Sequence, residues 1–222
     1  MDDEKRKHAL VRKKVIHWYN QHGRSFPWRE TTDSYHILIA EILLRRTTAS
    51  AVARVFIDFM NRFESPTRLA HARELTIVRA LSTLGLQSLK AKQLKETASI
   101  IVKDWNSEIP RSREKLQTLP GVGDYIASAV VNFAYGESVP LVDGNIIHFI
   151  SRVYGEQFKG PTDSKAWEFV AHFGGSHKAK LYWGIIDLVA TVCLRRSPRC
   201  GVCPLSKVCE WYTKGDKTSD TP

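Results

Sequence analysis

The apolar residues of this chain recur mostly at intervals of three and four, and the sustained alternation that strands show is weak throughout. This pattern predicts an all-α protein. Short segments rich in Gly, Pro and Ser, such as "LGLQS", "LPGVG" and "HFGGSHK", separate the helical stretches. The predicted helices cover residues 9 to 22, 33 to 45, 49 to 63, 74 to 82, 89 to 104, 123 to 135, 143 to 153 and 164 to 173.

One predicted helix carries an acid among apolar neighbours. The stretch "ILIAEILLRRT" is apolar from Ile37 to Leu44 except for Glu41. A helix that is apolar on nearly every side is normally buried, and a buried carboxylate is unfavourable unless it is paired or protonated. Glu41 could therefore stay a proton donor near neutral pH, because burial disfavours its ionisation. The structural alternative is an i,i+4 ion pair with Arg45.

The net charge of the chain indicates which kind of molecule it binds. Thirty-three Lys and Arg stand against twenty-three Asp and Glu, a formal net charge of +10, which is typical of proteins that meet polyphosphate, although ribosomal and membrane-surface proteins share it. The chain has no long apolar run, and "MDDEKRKHALVRKK" lacks the apolar core of a secretion signal. We therefore expect no membrane span and no export, and a reducing, cytoplasmic compartment.

Four cysteines lie in one loop, "CLRRSPRCGVCPLSKVC", with the spacing C-x6-C-x2-C-x5-C. In a reducing compartment such a group is more typical of a metal site than of disulfides. Zinc held by four cysteines usually draws on two CxxC pairs, whereas an iron-sulfur cluster accepts wider spacings, so a cluster is favoured while zinc and unligated or disulfide-bonded cysteines stay open. The candidate ligands are Cys193, Cys200, Cys203 and Cys209, and the loop cations that could contact phosphate are Arg195, Arg196, Arg199 and Lys207.

The segment "LQTLPGVGDYIASAVVNFA" predicts a helix, a tight turn and a second helix. Gly121 and Gly123, on either side of Val122, allow turn geometries and a close approach to another surface. The amides at the start of the second helix would then suit a phosphate. A pair of glycines between helices is by itself most often only a turn.

An aspartate follows twenty residues later, in "VPLVDGNIIHFISRVYG". Asp143 precedes Gly144 and Asn145 and a new amphipathic helix, so it is a candidate N-cap. An aspartate at a helix N-terminus also supplies the fixed anion that an electron-poor sugar carbon needs. The two roles are compatible.

The hairpin, the later aspartate and the C-terminal cysteine loop, in this order, resemble the helix-hairpin-helix DNA glycosylase superfamily in its endonuclease III and MutY branch. The resemblance runs from "FPWR" at residue 26 to Cys209. Through "AEILLRRTTA" and Tyr125 the chain is most similar to the Mig-type glycosylases that remove thymine from G:T mismatches. Adenine glycosylases of the MutY type are the nearest alternative.

The resemblance implies a two-lobed all-α fold with the active site in the cleft between the lobes. A six-helix barrel lobe would span 30 to 135 and include the hairpin motif at about 112 to 132. A second lobe would join 1 to 29 with 136 to 222 and hold a [4Fe-4S] cluster in the loop 193 to 209. Double-stranded DNA would lie across the cleft, with one base flipped out of the stack.

The resemblance also assigns roles to three residues. Asp143 matches the catalytic carboxylate of the family. Glu41 matches the residue that protonates the leaving purine in adenine glycosylases, and it would hydrogen-bond the base edge if the base is thymine. Tyr125 stands where bifunctional members carry the Lys that forms a Schiff base, so we expect base release without strong strand cleavage. An aromatic ring that merely packs at the hairpin is the alternative for Tyr125.

The resemblance further implies that the side chains that fill the gap left by a flipped base come from "LLRRT" and "TLGLQS". They are Arg45, Arg46 and Leu86, and the Arg46 donors could read the orphaned guanine. Contact with phosphates or solvent is the alternative for the two arginines.

The expected reaction is hydrolysis of the glycosidic bond of thymine or uracil opposite guanine, by a monomer associated with the nucleoid. The stretch "VDGN" resembles the adenine branch more closely, whereas the Mig-type thymine enzyme carries Ala in place of Gly144. Few residues follow Cys209, so we expect this protein to lack the C-terminal domain that reads oxidised purines in that branch. Adenine opposite guanine or 8-oxoguanine remains the alternative substrate, and a non-enzymatic iron-sulfur DNA-binding sensor is the alternative class.

Overall fold

The computed structural model describes residues 2–174 and 179–215 of the 222-residue chain. The regular secondary structure in these ranges is helical and includes no β-strand, which confirms the predicted all-α class. Two short 3-10 helices cover Pro27–Arg29 and Cys200–Val202. The α-helices are α1 (Asp2–His22), α2 (Ser34–Leu44), α3 (Ala49–Arg62), α4 (Pro66–Ala70), α5 (Glu74–Ala80), α6 (Gln87–Asp104), α7 (Arg113–Gln117), α8 (Asp124–Ala134), α9 (Gly144–Tyr154), α10 (Ser164–Gly174), α11 (Ala179–Thr191) and α12 (Glu210–Thr213).

The chain divides into two compact units. The first unit combines Met1–Arg24 with Ser138–Pro222, and the second unit is Ser25–Glu137. The chain passes from the first unit to the second after Arg24 and returns to the first after Glu137.

Residues 25–29 fall in the second unit, whereas the resemblance places them with the N-terminal helix. Their aromatic side chains explain the difference. The rings of Phe26 and Trp28 stack with their centroids 4.9 Å apart, and the Trp28 ring meets Phe56 of α3 edge-on at 5.3 Å. This segment is thus held by aromatic packing to the unit that contains α3.

Helix α2 lies at the centre of the second unit. Every residue from Ile37 to Leu43 is buried, and α2 packs against α3, α6 and α8. Contacts on several sides are what a helix without a polar face requires. The Asp33 side chain caps the helix by accepting a hydrogen bond from the His36 amide at 2.9 Å, and Leu44 is the last helical residue.

Helix α11 in the first unit is absent from the sequence-based prediction. It packs against α1 and α9. A Cβ at Gly184 would lie 2.8 Å from Cγ1 of Val15, so α1 and α11 approach more closely than a larger residue would allow. The glycine that sequence patterns associate with breaks serves here as a contact point between helices.

An ion pair joins α11 to the segment that follows α1. Asp187 is fully buried and accepts three hydrogen bonds from Arg24, from the backbone amide at 2.7 Å, from Nε at 2.8 Å and from Nη2 at 2.7 Å. The paired geometry satisfies the buried carboxylate, which would otherwise be costly.

Among the residues that the structure describes, none of the helices is both long and apolar enough to traverse a lipid bilayer.

Candidate active site

Asp143 begins α9 as its N-cap, as the sequence predicts. Its Oδ1 accepts hydrogen bonds from the amides of Asn145 and Ile146, both at 2.8 Å. Its Oδ2 accepts a third from Nδ2 of Asn145 at 2.9 Å. The backbone is extended, with φ −136° and ψ −177°, so the carboxyl group is held without strain.

The electrostatic environment of Asp143 contains opposing effects. Burial raises the pKa of its carboxyl group, while the amides of Ile146 and Asn145, the Asn145 side chain and the positive charge of Arg195 lower it. All three hydrogen-bond partners are donors, and a carboxylate accepts from all of them, whereas a carboxylic acid uses one oxygen to carry its own proton. The geometry is therefore that of a fixed carboxylate.

Glu41 is 5% exposed in the buried helix α2. Helix α2 ends at Leu44, and Arg45 is its C-cap with φ −58° and ψ 118°. The Arg45 guanidinium donates to Oε1 of Gln93 at 3.3 Å and to the Gly121 carbonyl at 3.0 Å. Glu41 is thus buried in an apolar helix, as the sequence predicts, and the Arg45 side chain contacts the hairpin turn and α6.

Tyr125 is half-buried in the first turn of α8, which packs against α2. The hairpin that presents it is the predicted helix, turn and helix, formed by α7 and α8. Asp124 joins the two helices by accepting from Arg113 and, at 2.7 Å, from Nε2 of Gln117. The phenol of Tyr125 contains no amine, so it cannot form an imine.

The two glycines of the hairpin turn, Gly121 and Gly123, have different structural roles. Gly121 has φ +77°, and a Cβ there would lie 3.0 Å from the side chains of Arg45 and Gln93, so this position needs glycine. Gly123 is the N-cap of α8 and offers no side-chain oxygen to the first amides of the helix, the arrangement that suits a phosphate. The Val122 side chain is buried, so this residue can reach DNA only through its backbone.

The predicted gap-filling residues occupy unusual backbone conformations. Arg46 has φ 53° and Leu86 has φ 61° and ψ 31°, and both are exposed. The left-handed region costs a residue with a Cβ about 1 to 2 kcal/mol. The same region also holds Asn106 and Ser107, in the turn after α6, but Arg46 and Leu86 are long side chains on open surface.

The four cysteines line one cavity of the first unit, together with apolar residues such as Leu188 and Leu205. All four are free of disulfide bonds. Burial raises the pKa of each thiol, that of Cys203 to about 11, so thiolates at this position need the positive charge of bound metal. Among the described residues, no group of three or more His, Cys, Asp or Glu is arranged for one metal ion. Four thiols around one cavity are the donor set of an iron-sulfur cluster, in which each thiolate binds a different iron atom.

Side chains of α9 support this loop. Arg152 donates to the carbonyls of Leu194 at 2.8 Å and Arg195 at 2.9 Å, and its Nη1 lies 3.7 Å from Sγ of Cys193. His148 Nε2 is 3.0 Å from the Cys193 carbonyl. The helix that begins at Asp143 thus also holds the start of the cysteine loop.

The four loop cations, Arg195, Arg196, Arg199 and Lys207, are exposed as a phosphate-contacting role requires. Arg195 in addition donates from Nη2 to the Gly144 carbonyl at 2.9 Å, beside Asp143. This contact is the geometric origin of its effect on the Asp143 pKa.

Three supporting residues are missing from the sequence-based set of site residues. Asn145 contributes both an amide and a side-chain donor to Asp143, and its position two residues after the acid was the available signal. Gln93 contacts Arg45, and Lys90 donates to the turn after α2. The signal for Lys90 was its place beside Ala91 and Leu94 on the apolar face of α6.

Two family models match this chain. Residues 39–172 match the HhH-GPD superfamily base excision DNA repair protein model, and residues 193–209 match the iron-sulfur binding domain of endonuclease III. The second match covers the four cysteines, so this loop is the binding site of a [4Fe-4S] cluster.

Whole-length relatives agree with these matches. The chain is 41% identical to the thymine-DNA glycosylase of Aeropyrum pernix over 91% of this chain and 94% of the relative. It is 37% identical to the thymine/uracil-DNA glycosylase of Pyrobaculum aerophilum over 95% of each chain. An adenine DNA glycosylase of Mycobacterium tuberculosis is also 37% identical over 94% of this chain, but that match covers 69% of the relative.

Solved structures lead to the same family. A thermostable thymine-DNA glycosylase superposes with a TM-score of 0.89 at 32% identity, covering 94% of this chain and 98% of that one. The fold, the hairpin and the cysteine loop therefore have one common explanation: the chain belongs to the HhH-GPD superfamily of base excision DNA repair proteins.

Proposed function

We propose that this protein is a monofunctional DNA glycosylase that removes thymine or uracil paired with guanine from double-stranded DNA. The observation that carries the proposal is the fixed carboxylate of Asp143, held by three donated hydrogen bonds at the start of α9. The named activities of the relatives with full-length matches support the choice of base.

The chemistry requires an anion. Breaking the bond between C1' of the sugar and the base nitrogen builds positive charge on the sugar and negative charge on the base. Asp143 stabilises the cationic sugar and orients the water that attacks it. Its hydrogen bonds fix the carboxylate in advance, so no reorganisation is needed as the charge develops.

Glu41 serves the base in this proposal. The glycosidic bond cannot be reached within the stack, so the nucleotide is flipped out of the duplex. The Glu41 carboxyl group, in an apolar helix, hydrogen-bonds the edge of the extruded pyrimidine and selects it. A base whose edge does not match this carboxyl group would form no such hydrogen bond and would be bound less tightly.

Tyr125 sets the reaction subtype. An amine at this place would attack C1' and lead through a Schiff base to strand cleavage. With a phenol there, water is the final nucleophile, and the product is an intact strand with an abasic site.

DNA is held by phosphate contacts in this proposal. The amides that follow Gly123 and the exposed cations of the cysteine loop bind the backbone, while Arg46 and Leu86 occupy the gap left by the flipped base. The bound cluster gives the cysteine loop a defined shape, and the protein acts as a monomer.

The test is a panel of duplexes that contain T:G, U:G, A:G and A:8-oxoguanine pairs, each incubated with the protein and split into samples with and without alkali. We expect cleavage at T:G and U:G only after alkali, because alkali breaks the strand at abasic sites. Strand breaks without alkali, or a DNA adduct trapped by borohydride, would contradict the monofunctional mechanism.

Adenine removal is the second candidate function, and Gly144 in "VDGN" favours it. The same panel separates the two. Faster release of adenine than of thymine or uracil would replace the first proposal by the second.

A further inference from the structure

Lys90 is the one Lys or Arg among the described residues that is buried, at 3% exposure. Its Nζ donates to the Leu43 carbonyl at 2.9 Å, to the Arg45 carbonyl at 2.6 Å and to Oγ1 of Thr47 at 3.0 Å. An ammonium has three N–H donors, and each one has an acceptor here. A buried cation whose donors are all used does not bind phosphate. Lys90 is therefore not part of the basic surface of the protein, and its burial must have another reason.

Its acceptors lie in the last turn of α2, at Leu43, and in the turn that follows this helix, at Arg45 and Thr47. The Thr47 amide donates to the Leu44 carbonyl at 3.1 Å, which closes a four-residue turn. Arg45 has φ −58° and ψ 118°, and Arg46 has φ 53°. These values are those of a type II turn, whose third position normally requires Gly or Asn. Here that position holds Arg46, with an exposed side chain.

Lys90 contacts the peptide group that defines the turn type. Types I and II differ mainly in ψ of the second residue and φ of the third, that is, in the orientation of the peptide between them. The carbonyl of that peptide is the Arg45 carbonyl, the acceptor of the shortest Lys90 hydrogen bond. Rotation to the type I form would move this oxygen away from Nζ and turn φ of Arg46 negative.

The backbone of the same lysine is hydrogen-bonded to Leu86, which is also exposed and also has a positive φ. The Lys90 backbone amide donates to the Leu86 carbonyl at 2.9 Å, in the first turn of α6. Leu86 and Arg46 are thus held by one residue, through its main chain and its side chain respectively.

We propose that Lys90 is a positioning residue that holds the turn Leu44–Thr47 in its type II form and thereby presents Arg46, next to Leu86, to the DNA duplex. The inference rests on the proposed function in one respect, the contact of Arg46 with DNA. Lys90 itself touches neither DNA nor the reacting atoms, and it acts through the backbone conformation of Arg46.

The first test measures the turn without DNA. Lys90→Met removes the donors and keeps a side chain of similar length. Lys95→Met is the matched control, because Lys95 also lies on α6 and its Nζ donates to one carbonyl, that of Ala72, at 2.6 Å. We expect hydrogen exchange of the Thr47 amide to accelerate at least about tenfold in Lys90→Met and to stay at the parent rate in Lys95→Met. Unchanged exchange at Thr47 would overturn the proposal.

The second test is a double-mutant cycle of Lys90→Met with Arg46→Ala. Affinity for a T:G duplex relative to a fully matched duplex, and the single-turnover rate of base release, are both measured. We expect Lys90→Met to lower both by at least about fivefold in the parent and by less than about twofold once Arg46 is alanine. Equal losses in the two backgrounds would mean a general structural role and overturn the proposal.

Lys90→Gln retains two N–H donors and provides a second variant in case Lys90→Met does not fold. We expect its exchange and affinity to lie between those of the parent and of Lys90→Met, and values equal to the parent would count against the turn mechanism. A parent protein that releases no base from any duplex would refute the proposed function. The exchange and affinity measurements would still decide the role of Lys90.

Discussion

The backbone at the start of α9 differs from the backbone of the turn that follows α2. Asp143 has the extended conformation of an ordinary N-cap, and its side chain is satisfied by neighbours two and three residues away. Arg46 has a positive φ that its residue type disfavours, and the turn is held by Lys90 from a helix more than forty residues later.

The contrast matches two different tasks. A group that stabilises developing charge must be fixed before the reaction, and local hydrogen bonds achieve this without strain. A side chain that enters a duplex must project from the surface, and the backbone that presents it needs support from a distant residue. We infer that residues near Asp143 control the bond-breaking step and residues of the turn control the opening of the base pair.

The largest effect is expected at Asp143. Asp143→Asn removes the charge and keeps a good N-cap, so α9 should fold while base release falls about 10²- to 10⁴-fold. Single-turnover assays with alkali treatment measure the loss, and T:G affinity should change little. The matched control is Asp33→Asn, at the N-cap of α2, which should release base at the parent rate.

A smaller loss is expected at the turn. Arg46→Ala should lower base release from T:G about 10- to 100-fold, because the extruded state loses the side chain that fills the gap. Arg54→Ala removes another exposed arginine of the second unit and serves as the control. An equal loss for the two variants would reduce the role of Arg46 to its charge.

A substitution at Glu41 tests whether helix α2, which precedes the turn, also contributes to base release. Glu41→Gln should lower release of thymine about tenfold, by disturbing one buried hydrogen bond. The control is Glu96→Gln, an exposed acid of α6 that lies 3.9 Å from Lys92. Parent activity in Glu41→Gln would leave this residue a purely structural role.

The smallest expected effect is a shift in the pH dependence of base release. If the proposed role of Asp143 holds, base release requires its ionised form, and the rate should fall as the pH drops through the pKa of this group, which burial raises above its ordinary value of 3.8. Asn145→Ala removes a donor that lowers this pKa, so the acidic limb of the rate profile should move to higher pH, by about one unit. A shift to lower pH would show that the Asn145 side chain does not stabilise the carboxylate.

The parts of the protein that follow local rules were predictable from its sequence. Helices α2, α8 and α9 follow from apolar spacing, the N-cap from an aspartate before an amphipathic helix, and the cysteine loop from its spacing alone. In each case the interacting residues are within about twenty positions of one another, so the pattern is visible in a short window.

The parts that depend on distant residues were not predictable. Helix α11 was missed because Gly184 and the glycines before it indicate a break, whereas Gly184 permits contact with α1. The pairing of Arg24 with Asp187 spans 163 positions. Nothing in "LLRRT" indicates the positive φ of Arg46, because the residue that supports it, Lys90, lies on another helix.

The division between bond breaking and base-pair opening can be tested by replacing the guanine opposite thymine with an abasic site. The rates of Asp143→Asn, Arg46→Ala and the parent protein are compared on thymine opposite guanine and on thymine opposite an abasic site, where there is no base pair to open. On the second duplex we expect the Arg46→Ala loss to shrink to within about twofold, because opening is no longer required, while the Asp143→Asn loss stays at about 10²-fold or more. An Arg46→Ala loss that persists there, or an Asp143→Asn loss that disappears, would contradict this division between bond breaking and base-pair opening.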